Sequence, residues 1–129
     1  MNAASVDIKE MLEQESVLTY PIHIGLEPAE PNNVITIYDT SGYGPMLTLD
    51  RLETLEFPSV QIRVRNISYL QCKEVCSTIQ QILHGRGQEV VNNAYYALIR
   101  SLNDAEPLGF DTKQRMRFVL NFNIQRRQV

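Results

Sequence analysis

Little in this chain points to catalysis. Its 129 residues include two cysteines and two histidines, and neither His23 nor His84 has a glutamate or second histidine at ligand spacing. Cys72, Cys76 and His84 could share one helical face, but three ligands on one straight rod cannot converge on a tetrahedral metal. The two cysteines, four apart on that face, read as buried small residues and not as a disulfide. No nucleophile elbow or paired carboxylate is visible, and no base is placed to activate a serine or cysteine. Gly85-Arg86-Gly87 follows a helix instead of preceding one, so no helix N-terminus is available there to an anion. No catalytic, cofactor-binding or metal-binding residue is assigned, and no enzyme activity is expected.

Other absences narrow the class. No apolar run approaches the length of a membrane span, and there is no low-complexity tract. Residues 1–9 lack the basic-then-apolar layout of a signal peptide, so the expectation is a protein folded in a cytoplasm. The length suits a single domain over residues 1–129 with one core.

What is present centres on residues 57–85. Residues 57–65 alternate strictly, with Val60, Ile62 and Val64 facing one way and Gln61, Arg63 and Arg65 the other, which predicts a half-buried strand. Ser68 fits a helix N-cap, and Gln71 completes a capping box. Cys72, Val75, Cys76, Ile79, Ile82 and Leu83 then recur at spacings of three and four, the stripe of an amphipathic helix. Gly85 stands where a left-handed cap would end it.

The remaining chain is mostly strand. Ser5 is expected to cap a short first helix that frays near Glu15, with Val6, Ile8, Met11 and Leu12 as its apolar positions. Residues 18–25 read as a short strand, Pro28 and Pro31 as a turn, and residues 33–39 as an interior strand apolar on both faces. Residues 40–56 read as a long loop, because Gly42, Gly44 and Pro45 preclude a regular element at its start. Tyr43, Met46, Leu47, Leu49, Leu52 and Leu55 make it apolar, so it packs on its own core or is covered by a partner subunit. Residues 88–91 and 94–102 form a hairpin about Asn92-Asn93. Residues 104–114 read as a polar connection. The closing strand has Met116, Phe118, Leu120, Phe122 and Ile124 on one face, and its length suggests that it reaches the sheet's edge. The fold class is therefore α+β: a mostly antiparallel β-sheet flanked by two helices, a single layer of helix on sheet.

Charge is split along the chain. Residues 1–57 carry ten acidic and two basic side chains, residues 58–129 five acidic and ten basic, within a net charge of −3. The halves either form two opposed faces or intermix in the fold. Arg63, Arg65, Arg115 and Arg117, with Arg100 between, would form a guanidinium-bearing sheet face if their strands are neighbours. Pairing with carboxylates of a neighbouring subunit suits such a face better than a nucleic-acid groove with Tyr69, Tyr95 or Tyr96 stacking, given the acidic balance. A merely solvated face is the default competitor. The candidate interface comprises Tyr43, Met46, Leu47, Leu49, Arg63, Arg65 and Arg117.

Four stretches carry a resemblance. They are residues 31–40 (PNNVITIYDT), residues 57–65 (FPSVQIRVR), Ser68-Tyr69 with the helix ending Ile82-Leu83-His84-Gly85, and residues 107–111 (PLGFD) before the closing strand with Asn121-Phe122. In these the chain resembles the minor capsid and tail terminator proteins of long-tailed bacteriophages. It departs from their pattern at Asn92-Asn93-Ala94, where an Asn-Gly turn is commoner, and at Gln114, where glycine is.

The resemblance implies a structural virion protein, assembled in the host cytoplasm as a homo-oligomeric ring of six. The ring would seat on the head-proximal end of the tail tube, stop tube polymerisation and present the surface for head–tail joining. Its implied partners are the tail tube protein and a head-completion or connector protein. Genomic DNA would pass through the lumen without sequence recognition, and neither cofactor nor membrane is implied. Two other readings stand beside it: another head–tail connector, such as a head-completion or stopper subunit, and a small cellular α+β ligand-binding domain.

Overall fold

The computed structural model describes residues 1–47 and 54–129. In chain order the elements are α1 (Ala4–Glu13), β1 (Ile22–Ile24), β2 (Val34–Leu47), β3 (Thr54–Asn66), α2 (Tyr69–Leu83), β4 (Glu89–Val91), β5 (Ala94–Ser101), β6 (Glu106–Phe110) and β7 (Met116–Gln128). The strands form one curled sheet in the order β1-β2-β3-β7-β5-β4, with β6 also pairing β7. β1 runs parallel to β2, and every other pair is antiparallel. The expected two helices and mostly antiparallel sheet are present. The plain single layer of helix on sheet is not: the sheet is mixed and dominates the fold.

Alternation builds the core. Val60, Ile62 and Val64 of β3 and Phe118, Leu120, Phe122 and Ile124 of β7 are buried against Cys72, Cys76, Ile79 and Leu83 of α2. Ile8, Met11 and Leu12 bring α1 into the same cluster beside Ile35 and Ile37 of β2. α2 begins at the expected N-cap, where the Ser68 hydroxyl accepts from the Gln71 N–H at 3.4 Å, but Gln71 does not complete a capping box: the Ser68 N–H donates to the Asn66 side chain at 2.7 Å; Gly85 beyond the helix has φ +81°. α1 begins differently. Its N-cap is Ala3, without a side-chain cap, and Ser5 lies inside the helix. There the Ser5 N–H and hydroxyl donate to the Asp39 carboxylate at 3.0 and 2.6 Å. An acid from β2 thus supplies what a local cap would, at the positive end of the helix.

β7 is long and paired as far as Gln128, between β3 on one side and β5 and β6 on the other. Two strand expectations need correction. Residues 104–114 are not a bare connection, because β6 pairs β7 despite Pro107 and a register shift between Pro107 and Gly109. The largest change concerns residues 40–56. β2 does not end at Asp39 but runs to Leu47, paired with β3 out to Leu47↔Thr54. Register shifts between Thr40 and Tyr43 and between Tyr43 and Met46 absorb the residues that break alternation. Gly42 is required there, since a Cβ at this position would lie 1.9 Å from the Phe57 carbonyl oxygen.

Both departures from the family pattern are left-handed residues. Asn92 (φ 49°) and Asn93 (φ 65°) form the two-residue turn between β4 and β5, the positive-φ pair such hairpins need. Gln114 has φ 63°, a left-handed backbone that glycine adopts at no steric cost.

Candidate assembly surface

The outer parts of β2 and β3 form a two-stranded arm. Val34 to Ile37 are buried, whereas β2 is exposed from Asp39 onward. Tyr43 is 77% exposed, Met46 57% and Leu47 65%, with Leu55 of β3 beside Met46. A two-stranded ribbon has no core of its own and is marginal alone in water, so apolar side chains here are available to a partner. Leu49 and Leu52, the other apolar candidates in this stretch, lie outside the described residues. At the base of the arm, Tyr43 and Phe57 close a small groove with Leu98, Arg100 and Asn123.

The arginines divide by function. Arg65 is not on an open face: it is 3% exposed. Its Nη1 donates to Glu27 at 3.1 Å, its Nε to the Asn32 carbonyl at 3.1 Å and its Nη2 to the Pro31 carbonyl at 2.7 Å. Arg117, opposite Arg65 in the ladder, holds the other Glu27 oxygen at 3.5 Å. Arg115 is buried too, bonded to Asp111 at 2.8 Å and to the Ala29 carbonyl at 2.6 Å. These three guanidiniums tie the 27–32 segment across the start of β7. Arg63 differs. It donates from Nε to Gln61 at 3.0 Å and lies over the Tyr38 ring at 5.1 Å.

Part of the charge split is consumed inside the subunit. Glu27 with Arg65 and Arg117, Glu30 with Lys113, and Asp7 and Glu56 with Arg126 each join the acidic first part to the basic second. Sequence reasoning missed Arg126, which is 7% exposed and bonds the Asn2 carbonyl and the Tyr96 hydroxyl, both at 3.0 Å. The signal was available, since Arg126 continues the inward phase of β7 after Ile124. Tyr96 is wholly buried, with its hydroxyl donating to Asp7, so it cannot stack on a base. Burial, then the Asp7 contact, pushes this phenol well above its ordinary range. At Asp111 burial acts upward, but the Arg115 and Lys113 N–H groups and the Arg115 guanidinium outweigh it and hold the carboxyl below its ordinary value.

Potential chemical groups are occupied structurally. The Cys72 thiol donates to the Val64 carbonyl at 3.2 Å, and the contact with Cys72, followed by burial, pushes the Cys76 thiol far up. His84 accepts the Ser101 N–H on Nδ1 at 2.9 Å. Among the described residues no three potential ligands cluster around a common point. A broad polar groove of about 670 Å³ runs between α2 and the β5–β6 link, lined by Gln80, His84, Asn103 and Asp104.

With this geometry in hand, comparison with known families is decisive. The family described as bacteriophage tail terminator protein matches residues 11–128. The chain belongs to the bacteriophage tail terminator family. It is a structural protein of the phage virion, which displaces the reading as a cellular ligand-binding domain. Seven chains of solved structures match. One comes from the virion of a native gene transfer agent particle, with TM-score 0.71 and 13% identity over 97% of this chain and 95% of that one. At that identity the likeness shows a shared fold. Curated protein sequences give no match.

Proposed function

We propose that the protein caps the head-proximal end of the tail tube, stops tube polymerisation and forms the interface for head–tail joining. It acts as a ring, of six subunits in our reading, with the tail tube protein on one side and a head-completion or connector protein on the other. Genomic DNA traverses the lumen without sequence recognition, and no catalysis is involved. The observation that carries this reading is the arm: a family member of this kind needs a contact surface, and Tyr43, Met46 and Leu47 are apolar, exposed and unsupported by the core. Arg63 completes the proposed contact set. Arg65 and Arg117 act behind it by fixing Glu27. Head-to-tail association of two unlike patches closes into a ring when the rotation per step divides the circle.

The test is a triple substitution to serine at Tyr43, Met46 and Leu47, supplied to tail assembly in place of the intact protein. The sheet and both helices should persist by circular dichroism and melting, while tails grow to uncontrolled length in electron micrographs. Normal tail length with the substituted protein would show that the tube contact lies elsewhere.

A further inference from the structure

A second group of exposed apolar side chains lies at the opposite end of the sheet from the arm. It surrounds the first turn of α2, where β3 ends and β7 begins. Ile67, Tyr69 and Leu70, with Leu108 and Phe110 of β6, are each between 43% and 76% exposed. Buried contacts hold them side by side. The Tyr69 ring meets Phe118 edge-on at 5.3 Å, and Phe118 is the ladder partner of Pro107 in β6. Phe110 stands opposite Met116, whose carbonyl takes the Cys72 thiol at 3.6 Å. Met116 in turn stands opposite Asn66, the residue before Ile67.

The ladder sets the distance between this group and the arm. Leu55 is the partner of Met46 in the arm, and β3 advances from there to Asn66 by eleven residues (55 to 66), about 36 Å. The six residues between Leu47 and Thr54 add at most about 25 Å of chain, out and back. A subunit's arm therefore does not reach its own α2 group. Monomeric proteins seldom leave contiguous apolar groups of this size open. The two groups are also unlike: one is a two-stranded ribbon, the other the flank of a helix beside a strand.

We propose that the flank formed by the start of α2 and β6 is the seat for the arm of a second copy of this chain. A two-fold contact would pair like with like, end at two subunits and leave one of the groups open. Ribbon on flank, head to tail, uses both groups once in every subunit. Tyr43, Met46, Leu47 and Leu55 with the five side chains of the flank bring about 900 Å² of apolar surface together, at about 100 Å² each. That approaches the roughly 1,000 Å² of a specific interface before any polar rim is counted. Successive contacts around a ring then lie one arm-to-flank distance apart. Six of them form a hexagon about 36 Å from centre to corner, which leaves an open lumen inside subunits on the order of 20 Å thick. This seat deepens the proposed ring and rests on it for closure at six. The contact itself is read on the free chain without tail tubes, so the two readings fail separately.

The experiment is disulfide trapping between two full-length variants, Met46→Cys in one and Leu70→Cys in the other, mixed with oxidised glutathione. The native Cys72 and Cys76 are wholly buried and stay in place. Seating brings the two new thiols together, so the mixed dimer should form about tenfold faster than either variant pairs with itself. It should outpace Met46→Cys mixed with Val90→Cys, a control at an exposed position of β4, by the same factor. Adding Tyr43→Ser with Leu47→Ser to the arm chain, or Phe110→Ser to the seat chain, should return the rate to that of the control, and melts establish that each variant folds. Equal rates for all pairs overturn the proposal and leave the flank to a different protein of the particle. Self-pairing of Met46→Cys ahead of the mixed pair overturns it in favour of a two-fold contact between arms. A mixed rate unmoved by the serine substitutions overturns it as well.

Discussion

Arg65 offers the sharpest test of how this sheet is held together. Arg65→Met removes a cation that is 3% exposed and bonded to Glu27 and two carbonyls of the 27–32 segment. Breaking a buried pair by deleting one partner costs about 3–5 kcal/mol, mostly for the charge left behind. Here Arg117 remains 3.5 Å from Glu27 and limits that penalty, so the low end, about 3 kcal/mol, is expected. With a slope near 2 kcal/mol per molar, the urea midpoint should fall by about 1.5 M. Arg63→Gln, two residues along the same face, should move stability by about 0.5–1 kcal/mol, since it loses a part-exposed hydrogen bond to Gln61 and a contact with the Tyr38 ring. Pairing Arg65→Met with Glu27→Gln in a double-mutant cycle should show strong coupling. If Arg65→Met melts with the wild type, or no lower than Arg63→Gln, the clamp does not stabilise the fold and the buried geometry has been misjudged.

Other expectations follow from the same contacts. Ile62→Ala, at a fully buried position between Ile37 and Leu120, should cost about 2–4 kcal/mol in urea unfolding. Gly42→Ala forces a Cβ against the Phe57 carbonyl, so amide exchange should accelerate at residues 54–57 while β7 stays protected; unchanged exchange would contradict the close approach. The Asp111 carboxyl is depressed in the folded state. Its contribution is therefore complete above the ordinary carboxylate value of 3.8 and is lost as pH falls through the lower folded value. Asp111→Asn should flatten the acid limb of stability against pH and leave the neutral region parallel to the wild type.

Much of the core was legible because alternation and helical periodicity are properties of burial itself. Val60, Ile62 and Val64, the run from Met116 to Ile124, and the α2 stripe could be read without knowing what they packed against. The arm was not, because Gly42, Gly44 and Pro45 each have a local reading as breakers, whereas bulged pairing with β3 is a tertiary fact. Ser5 failed for the same reason: its helix is capped by Asp39, an acid 34 residues away. For the candidate site, exposed apolar residues were visible as an anomaly of composition. The division among arginines was not, because Arg63 and Arg65 share a strand phase and differ in whether the 27–32 segment reaches them.

That division changes what should drive assembly. The acidic first part and basic second part of the chain resemble two complementary patches, and a ring built on them would loosen in salt. In the folded subunit, however, Glu27, Glu30, Glu56 and Asp7 already meet Arg65, Arg117, Lys113 and Arg126 of the same chain. The arm residues Tyr43, Met46 and Leu47, by contrast, are apolar and exposed. Apolar contacts are not screened, and excluded salts such as sulfate strengthen them. Association through the arm should therefore persist from about 0.1 to 0.5 M sodium chloride, where the screening length falls well below 10 Å, and should increase in sodium sulfate. Sedimentation across both series reads this directly. An oligomer that dissociates steadily in sodium chloride and gains nothing from sulfate would show that intersubunit ion pairs hold it, and that the arm is not the main contact.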